Sequence, residues 1–382
     1  MFLNSWGLVN AFGVWQIYYS TTLLPTRSNS DISWIGSVQA FLLCCTTIFA
    51  GPLFDRGHGL MLIRLGSFMV VFGLMMTSLC STYWQLMLAQ GICVGAGSGA
   101  LFITSVSILP WYFTTKRAFA IGVAASGSSF GGVIYPIIFY HMQPQVGFGW
   151  ATRIISFMAM GMLFLPCCGG LRIRVLPPPR RKVIDFSGFR ELPFCLFCSA
   201  AFIGFIGLYV PFFYIAEFAS SQANFSPTLA FYMLPVLSSG SIVVRLLPSL
   251  MADHFGIINV LGICTVMAGI LGFAWDAVND SIAGLVICAL LYGAFSGAFV
   301  SLQPSTVISI TDEVSVIGGR LGINTFCAAL GILIGNPVAG VIVTNGGWIG
   351  LHAFCGGTLL LGSVLILLTR WFVVGKQLIR KA

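Results

Sequence analysis

Charge is what this sequence has least of. Asp, Glu, Lys and Arg make up 7% of its 382 residues, against about 25% in an ordinary soluble domain. A water-soluble fold of this length needs far more polar surface than that supplies, so the solvent around most of the chain is lipid. None of the ten acidic residues is expected at mid-depth, so no clustered carboxylates for acid–base catalysis are expected there. His58, His141, His254 and His352 form no H-x-x-x-H or carboxylate pattern, so no metal site is expected. Cysteine is not scarce, with 12 in all, but Cys195-x-x-Cys198 lies in an apolar run without a second pair. It is read as small apolar packing rather than zinc or redox chemistry. The glycines from Gly95 to Gly99 have no following Lys-Ser/Thr and cradle no phosphate. No enzyme activity, cofactor or metal is expected.

What the chain has instead is long apolar runs, with 58% hydrophobic residues. They are too long and too continuous for the alternating strands of a barrel, so the expected class is an all-α polytopic membrane protein. Twelve spans are predicted, at 1–23, 32–54, 60–81, 83–109, 117–141, 151–171, 193–219, 227–252, 256–276, 282–308, 318–344 and 348–374. Breaks are expected at Pro25 to Asp31, Asp55 to Gly59, Lys116-Arg117, Gln143 to Gly149, Asp253 and Asn279-Asp280. The first run has no basic segment ahead of it and no small-residue cleavage site, and reads as a membrane helix rather than a signal peptide.

Most Lys and Arg residues, among them Arg56, Arg64, Lys116, Arg117, Arg320, Arg370 and Lys376, fall at one set of alternating ends, whereas Arg27 and Arg153 fall at the other. The positive-inside rule then makes both termini cytosolic, in a multi-pass protein expected in the plasma membrane. The +8 net charge follows from that topology and from anionic inner-leaflet lipid, not from nucleic-acid binding. The stretch 171–192, with three consecutive prolines and a basic block, reads as a cytosolic linker. It divides a six-helix bundle at 1–170 from a second at 193–374, with a cytosolic tail at 375–382.

The two predicted bundles repeat one another. Gly95-Ala96-Gly97-Ser98-Gly99-Ala100 returns 198 positions later as Gly293-Ala294-Phe295-Ser296-Gly297-Ala298, and Asp55 returns at the same offset as Asp253. A looser match sets Gly127-x-x-x-Gly131 and Pro136 against Gly331-x-x-x-Gly335 and Pro337. Small residues four apart let helices approach closely, so Gly127, Gly131, Gly331 and Gly335 are expected at helix contacts. Parallel six-span halves are the plan of a large transporter class, with the substrate site between them near mid-depth.

The motifs carry a resemblance as well. GPLFDRGHG at 51–59 resembles the cytosolic loop signature of the major facilitator superfamily, and SLMADHFG at 249–256 is similar to its second copy. SWIGSVQAFLL at 33–43, KRAFAIGVAASGSSFGGVIYP at 116–136 and YGAFSGAFVSLQP at 292–304 resemble the fungal monocarboxylate-porter-like branch. This implies a secondary transporter with twelve helices in two pseudo-symmetric halves. It also implies that Asp55 and Arg56, with Asp253 as the second-half counterpart, take part in gating on the cytosolic side.

Arg245 is the residue with most at stake. It lies eight positions before Asp253, about 12 Å along a helix, against about 15 Å for half the hydrocarbon core. A central arginine costs about 2.5–3.5 kcal/mol to insert, so it is expected to face a wet cavity rather than lipid. The bland alternative is snorkelling to the cytosolic face or bracing two helices. The resemblance implies that Arg245 holds a substrate carboxylate. It also sets Asn10 and Ser241 where animal members carry a lysine and an aspartate, so both are candidate substrate-binding residues and neither can carry charge. No acid is expected at mid-depth. Gln39 and Gln90 are expected to make interhelical hydrogen bonds, and Trp15, Tyr18 and Tyr19 to belong to the aromatic interface belt.

The expected function is alternating-access transport of a small organic anion or acidic, amphipathic metabolite by a monomer in a lipid bilayer. Export of a secondary metabolite is favoured. Uptake of a monocarboxylate or riboflavin-like nutrient is the alternative, followed by a non-transporting receptor.

Overall fold

The structure, a computed structural model, describes residues 1–112, 117–168, 186–221, 225–244, 255–278, 281–311 and 316–375. Helix dominates them, because in hydrocarbon a backbone N–H or C=O finds no partner except along its own helix. In chain order the helices are α1 (Trp6–Asn10), α2 (Phe12–Tyr18), α3 (Asn29–Leu53), α4 (Gly59–Thr77), α5 (Tyr83–Leu86), α6 (Gly95–Tyr112) and α7 (Arg117–Cys168). There follow α8 (Leu192–Leu208), α9 (Val210–Ser221), α10 (Pro227–Val244), α11 (Ile257–Ala274), α12 (Ile282–Ser309) and α13 (Ile317–Val374). Among the described residues, eight helical stretches are long and apolar enough to cross a membrane.

Helix ends are set by local chemistry. Ser28 and Asp31 form a capping box at the start of α3, Gln85 accepts the Thr82 N–H at the start of α5, and Ser281 accepts the Gly284 N–H at the start of α12. The breaks expected at Gln143 to Gly149 and between 344 and 348 are not loops. Helix continues on either side, and the chain changes direction at single residues, Gly147 (φ 78°) and Gly347 (φ 69°). Both sit in the left-handed region that glycine enters without a Cβ penalty, so one residue suffices where breaks of seven and three residues were expected. Wider i→i+5 turns run over Tyr19–Leu23 and Met87–Val94.

The surface is apolar and the interior partly polar. Phe49 and Leu165 are 73% exposed, while Asn4, Gln16, Gln39, Gln90, Asn324 and Asn336 are buried. Water would invert that pattern; lipid permits it. Trp15 and Tyr19 correct an expectation: both are fully buried, and the Tyr19 hydroxyl donates to Gln90 Oε1 at 2.5 Å. They join helices inside the bundle instead of marking its interface. Their position near a helix end did not reveal which face they occupy.

The sequence repeat has a counterpart in packing. A methyl on Gly95 would fall 2.8 Å from the Gln39 carbonyl oxygen, and one on Gly293 would fall 1.8 Å from that of Leu237. Gln39 and Leu237 are themselves 198 positions apart. Likewise Gly131 lies against Leu3 and Gly7, and Gly331 against Phe202 and Phe205. Equivalent helix crossings are therefore built on equivalent glycines in α1–α7 and α8–α13.

Gly293→Ala should cost about 1–3 kcal/mol through overpacking against the α10 backbone. The melting temperature of the detergent-solubilised protein should fall accordingly. Gly357→Ala, in α13 with no atom within 4 Å of the added methyl, should leave it unchanged or slightly raised.

Candidate functional site

The first membrane segment of each helix group is broken, and the breaks correspond. Ala11 interrupts α1 and α2; Tyr209, 198 positions on, interrupts α8 and α9. A break at depth frees backbone carbonyls, and side chains take them up here. The Tyr292 hydroxyl donates to the Leu208 carbonyl at 2.9 Å, and the Cys355 thiol to that of Gly207 at 3.4 Å.

These broken segments meet. Gly13 lies so close to α9 that an added methyl would fall 2.4 Å from the Phe212 carbonyl oxygen, and the Phe12 and Phe213 rings are 5.0 Å apart. Trp6, five positions before Ala11, and Tyr209, at the second break, stack with centroids 5.9 Å apart and planes 12° from parallel. Phe102 meets Trp6 edge-on at 5.9 Å, and Phe205 stacks on Tyr209 at 6.1 Å.

Beside the rings lies a small polar patch. Asn10 is buried, and its Nδ2 donates to the Ser128 carbonyl at 3.3 Å. The Ser129 and Ser241 hydroxyls are 2.5 Å apart, joining α7 to α10. Ser241 donates to the Ser238 carbonyl at 2.8 Å, which leaves Ser129 as the donor between the two hydroxyls. A methyl on Gly132 would fall 3.1 Å from Asn10 Cβ and 2.6 Å from Ser238 Oγ. That hydroxyl is fully buried and has no hydrogen-bond partner among the described residues.

From this level the contacts between α1–α7 and α8–α13 continue toward one end of the bundle. Asn29 Nδ2 donates to Glu217 Oε1 at 2.8 Å, Ser30 to the Pro337 carbonyl at 2.8 Å, and Asn336 Nδ2 to Ser37 Oγ at 3.3 Å. Tyr140 stacks on Phe231 at 4.1 Å and donates to Thr228, while His141 Nε2 lies 3.1 Å from the Tyr232 hydroxyl. The described Asp and Glu residues, Asp31, Asp55, Glu191, Glu217 and Asp276, all lie at or near helix ends.

Of the site residues expected from sequence, Asn10 and Ser241 lie at this seam. Arg245 and Asp253 fall outside the described residues. Asp55 and Arg56 occupy the wide turn Phe54–His58, bent at Gly57 (φ 92°), with Arg56 exposed. A methyl on Gly131 would fall 2.7 Å from Gly7 Cα, and methyls on Gly331 and Gly335 would fall 2.3 and 2.1 Å from the carbonyl oxygens of Phe202 and Ile206. Gly127 is looser, at 3.5 Å from Leu3.

Sequence reasoning did not single out Trp6, Tyr209, Ser129, Ser238 or the Asn29–Glu217 pair. The repeat offset links Ala11 to Tyr209 and was the one available signal. It also missed a partner for His352, whose buried Nδ1 lies 2.8 Å from Asp276 Oδ2 among Phe218, Trp275 and Trp348. A groove of about 340 Å³ bordered by Phe72, Met76, Trp84 and Leu88 lies on the outer flank instead, where those side chains suit lipid.

The model of the Major Facilitator Superfamily matches this chain over residues 1–313 and again over 194–377. The chain belongs to the major facilitator superfamily. Fungal transporters are among its relatives: it is 42% identical to the MFS-type transporter dbaD of Emericella nidulans, covering 96% of this chain and 83% of that protein. It is 36% identical to the aspyridones efflux protein apdF of the same organism (94% and 74% covered). With the agnestins efflux protein AgnL12 of Paecilomyces divaricatus it shares 37% identity (95% and 83% covered). The fold is that of a solved point mutant of the nucleoside transporter NupG, at TM-score 0.77 and 14% identity, covering 96% of this chain and 97% of that one. The protein is thus a multi-pass membrane protein and a secondary transporter of the superfamily.

The seam can be tested by cross-linking. With the native cysteines replaced, Ser129→Cys and Ser241→Cys together should form a disulfide under mild oxidant, since the hydroxyls they replace are 2.5 Å apart. After proteolysis within 171–192 the two fragments should stay joined on a non-reducing gel and separate with reductant. Separation under both conditions would show that α7 and α10 do not meet there.

Proposed function

We propose that this transporter exports a small acidic or amphipathic organic metabolite across the plasma membrane as a monomer, by alternating access. In this reading twelve membrane crossings form two six-helix halves, 1–170 and 193–374, joined by the cytosolic linker 171–192 and followed by a cytosolic tail at 375–382. The observation that carries the reading is the seam between α1–α7 and α8–α13. It runs from the paired breaks at mid-depth to one end of the bundle, along α2 with α9, α3 with α13 and α7 with α10. Many of its bonds join neutral side chains to one another or to backbone. Each such bond contributes about 0.5–1.5 kcal/mol net, so the strip can part without breaking a buried ion pair. Sites of this transporter class lie at such an interface, and opening one end as the other closes is the transport step.

The described bonds Asn29–Glu217 and Ser30–Pro337 lie at the end opposite the turn Phe54–His58, so in this reading they seal the outward side. Asp55 with Arg56, and Asp253, are the proposed latch of the cytosolic end. Asn10 and Ser241 are proposed substrate contacts. Arg245, four positions after Ser241 in sequence, is the proposed anchor for an anionic group, since a guanidinium matches a carboxylate with two parallel hydrogen bonds. Among the described residues the acids lie at or near helix ends. The monocarboxylate-porter-like motifs support an acidic substrate. Relatives named for efflux of aspyridones and agnestins support export.

Cells expressing the protein and preloaded with aromatic polyketide acids, monocarboxylates or riboflavin should release an acidic solute faster than control cells. Arg245→Ala and Arg245→Lys should both reduce that release at least tenfold while the protein remains in the membrane. Faster entry than exit would favour nutrient uptake, and binding without flux would identify a receptor. Normal transport by both variants would remove Arg245 from the site.

A further inference from the structure

The rings at the paired breaks point to the kind of molecule carried. Tyr209 lies 12 residues before Ser221, the end of α9, about 18 Å along a helix and therefore close to mid-depth. Trp6 belongs to one half and Tyr209 to the other, and their faces lie within 12° of parallel. Motion of one half against the other changes the gap between them. A flat ring inserted between two such faces needs about 7 Å between the flanking planes, two carbon contacts of about 3.5 Å. The centroids are now 5.9 Å apart, so the halves must part there by at least about 1 Å to admit one. Phe102 and Phe205 back the two rings and hold their orientation.

The polar patch adjoins this slot. Asn10 follows Trp6 by four positions and so lies on the same helix face. Gly132 brings Asn10 and the unpartnered, fully buried Ser238 hydroxyl together. A buried hydroxyl without a partner is unfavourable in a resting seam, and a polar substituent on a bound ring would satisfy it.

We propose that Trp6 and Tyr209 form a gated slot for the planar aromatic ring system of the substrate, with Ser238 beside it to receive a polar ring substituent. The inference rests on the transporter reading and narrows its substrate class. Two parallel ring faces select a flat, unsaturated ligand over a puckered, saturated one of equal charge, because only the flat ligand contacts both faces throughout.

Two probes isolate that property: 2-naphthoate and decalin-2-carboxylate share a fused ten-carbon skeleton and a single negative charge. Calorimetric binding to the purified protein in nanodiscs should favour naphthoate about tenfold. Trp6→Leu and Tyr209→Leu should abolish the preference by weakening naphthoate binding far more than decalin-carboxylate binding, and Trp6→Phe and Tyr209→Phe should retain most of it. Gel-filtration profiles check folding, and the phenylalanine variants keep the test decisive if a leucine variant misfolds. A preference that persists in the leucine variants, an equal affinity for both probes, or binding of neither would overturn the slot. Flux of the same probes in proteoliposomes separates the two claims. Ring-dependent binding without flux leaves the slot standing and removes the transporter reading, whereas flux without discrimination removes the slot alone.

Discussion

In hydrocarbon, a peptide group released from a helix has no water to bond, and that constraint governs where this chain can bend. Bends near the ends use glycines at positive φ, at Gly57, Gly147 and Gly347, or polar caps such as Ser28 with Asp31. A bend at mid-depth needs a side chain to take up the freed carbonyl. At Tyr209 that role falls to Tyr292 and Cys355. That break depends on partners built in α12 and α13, and a break recurs at the corresponding position, Ala11, in the first group of helices.

Glycine then determines how closely helices lie. Within each group of helices, Gly95, Gly131, Gly293 and Gly331 set a neighbouring backbone in direct contact, and a methyl at any of them would overlap it. The seam uses the same device at Gly13 and Gly340, while Gly132 admits the Ser238 and Asn10 side chains. What differs is the surroundings. Around the seam sit Ser129, Ser241, Asn336 and Ser37, whose short polar bonds lie between ring contacts such as Phe12 with Phe213 and Tyr140 with Phe231. Short neutral bonds and stacked rings of this kind part and re-form as two discrete arrangements, whereas close-packed interiors resist continuous deformation.

Polarity follows from the same constraint. A chain with 7% charged residues in lipid places its amides and hydroxyls inward, and inward here means toward the seam or between helices. Rings are less constrained. Phe49 faces lipid while Trp15 and Tyr19 are wholly enclosed, though all three lie in apolar helical stretches. That freedom lets aromatic side chains collect at the paired breaks without any mark in hydropathy.

Composition alone determined the lipid solvent and the helical class, because neither depends on which residues meet. Run lengths located the long described helices but not the interruptions at Ala11 and Tyr209 or the single-residue turns at Gly147 and Gly347, and the breaks expected at Lys116, Asp253 and Asn279-Asp280 lie outside the described residues. The 198-position offset exposed the internal repeat, since repeated glycines and acids are visible in one dimension. What sequence could not determine was facing. Asn10 and Ser241 could be singled out by position, but Ser129, Ser238 and the Trp6–Tyr209 stack arise from contacts between segments more than 100 positions apart. Helical periodicity distinguishes two faces only when one is polar, and in a lipid-embedded bundle both faces read as apolar. Which ring meets which is therefore decided by how the helices pack.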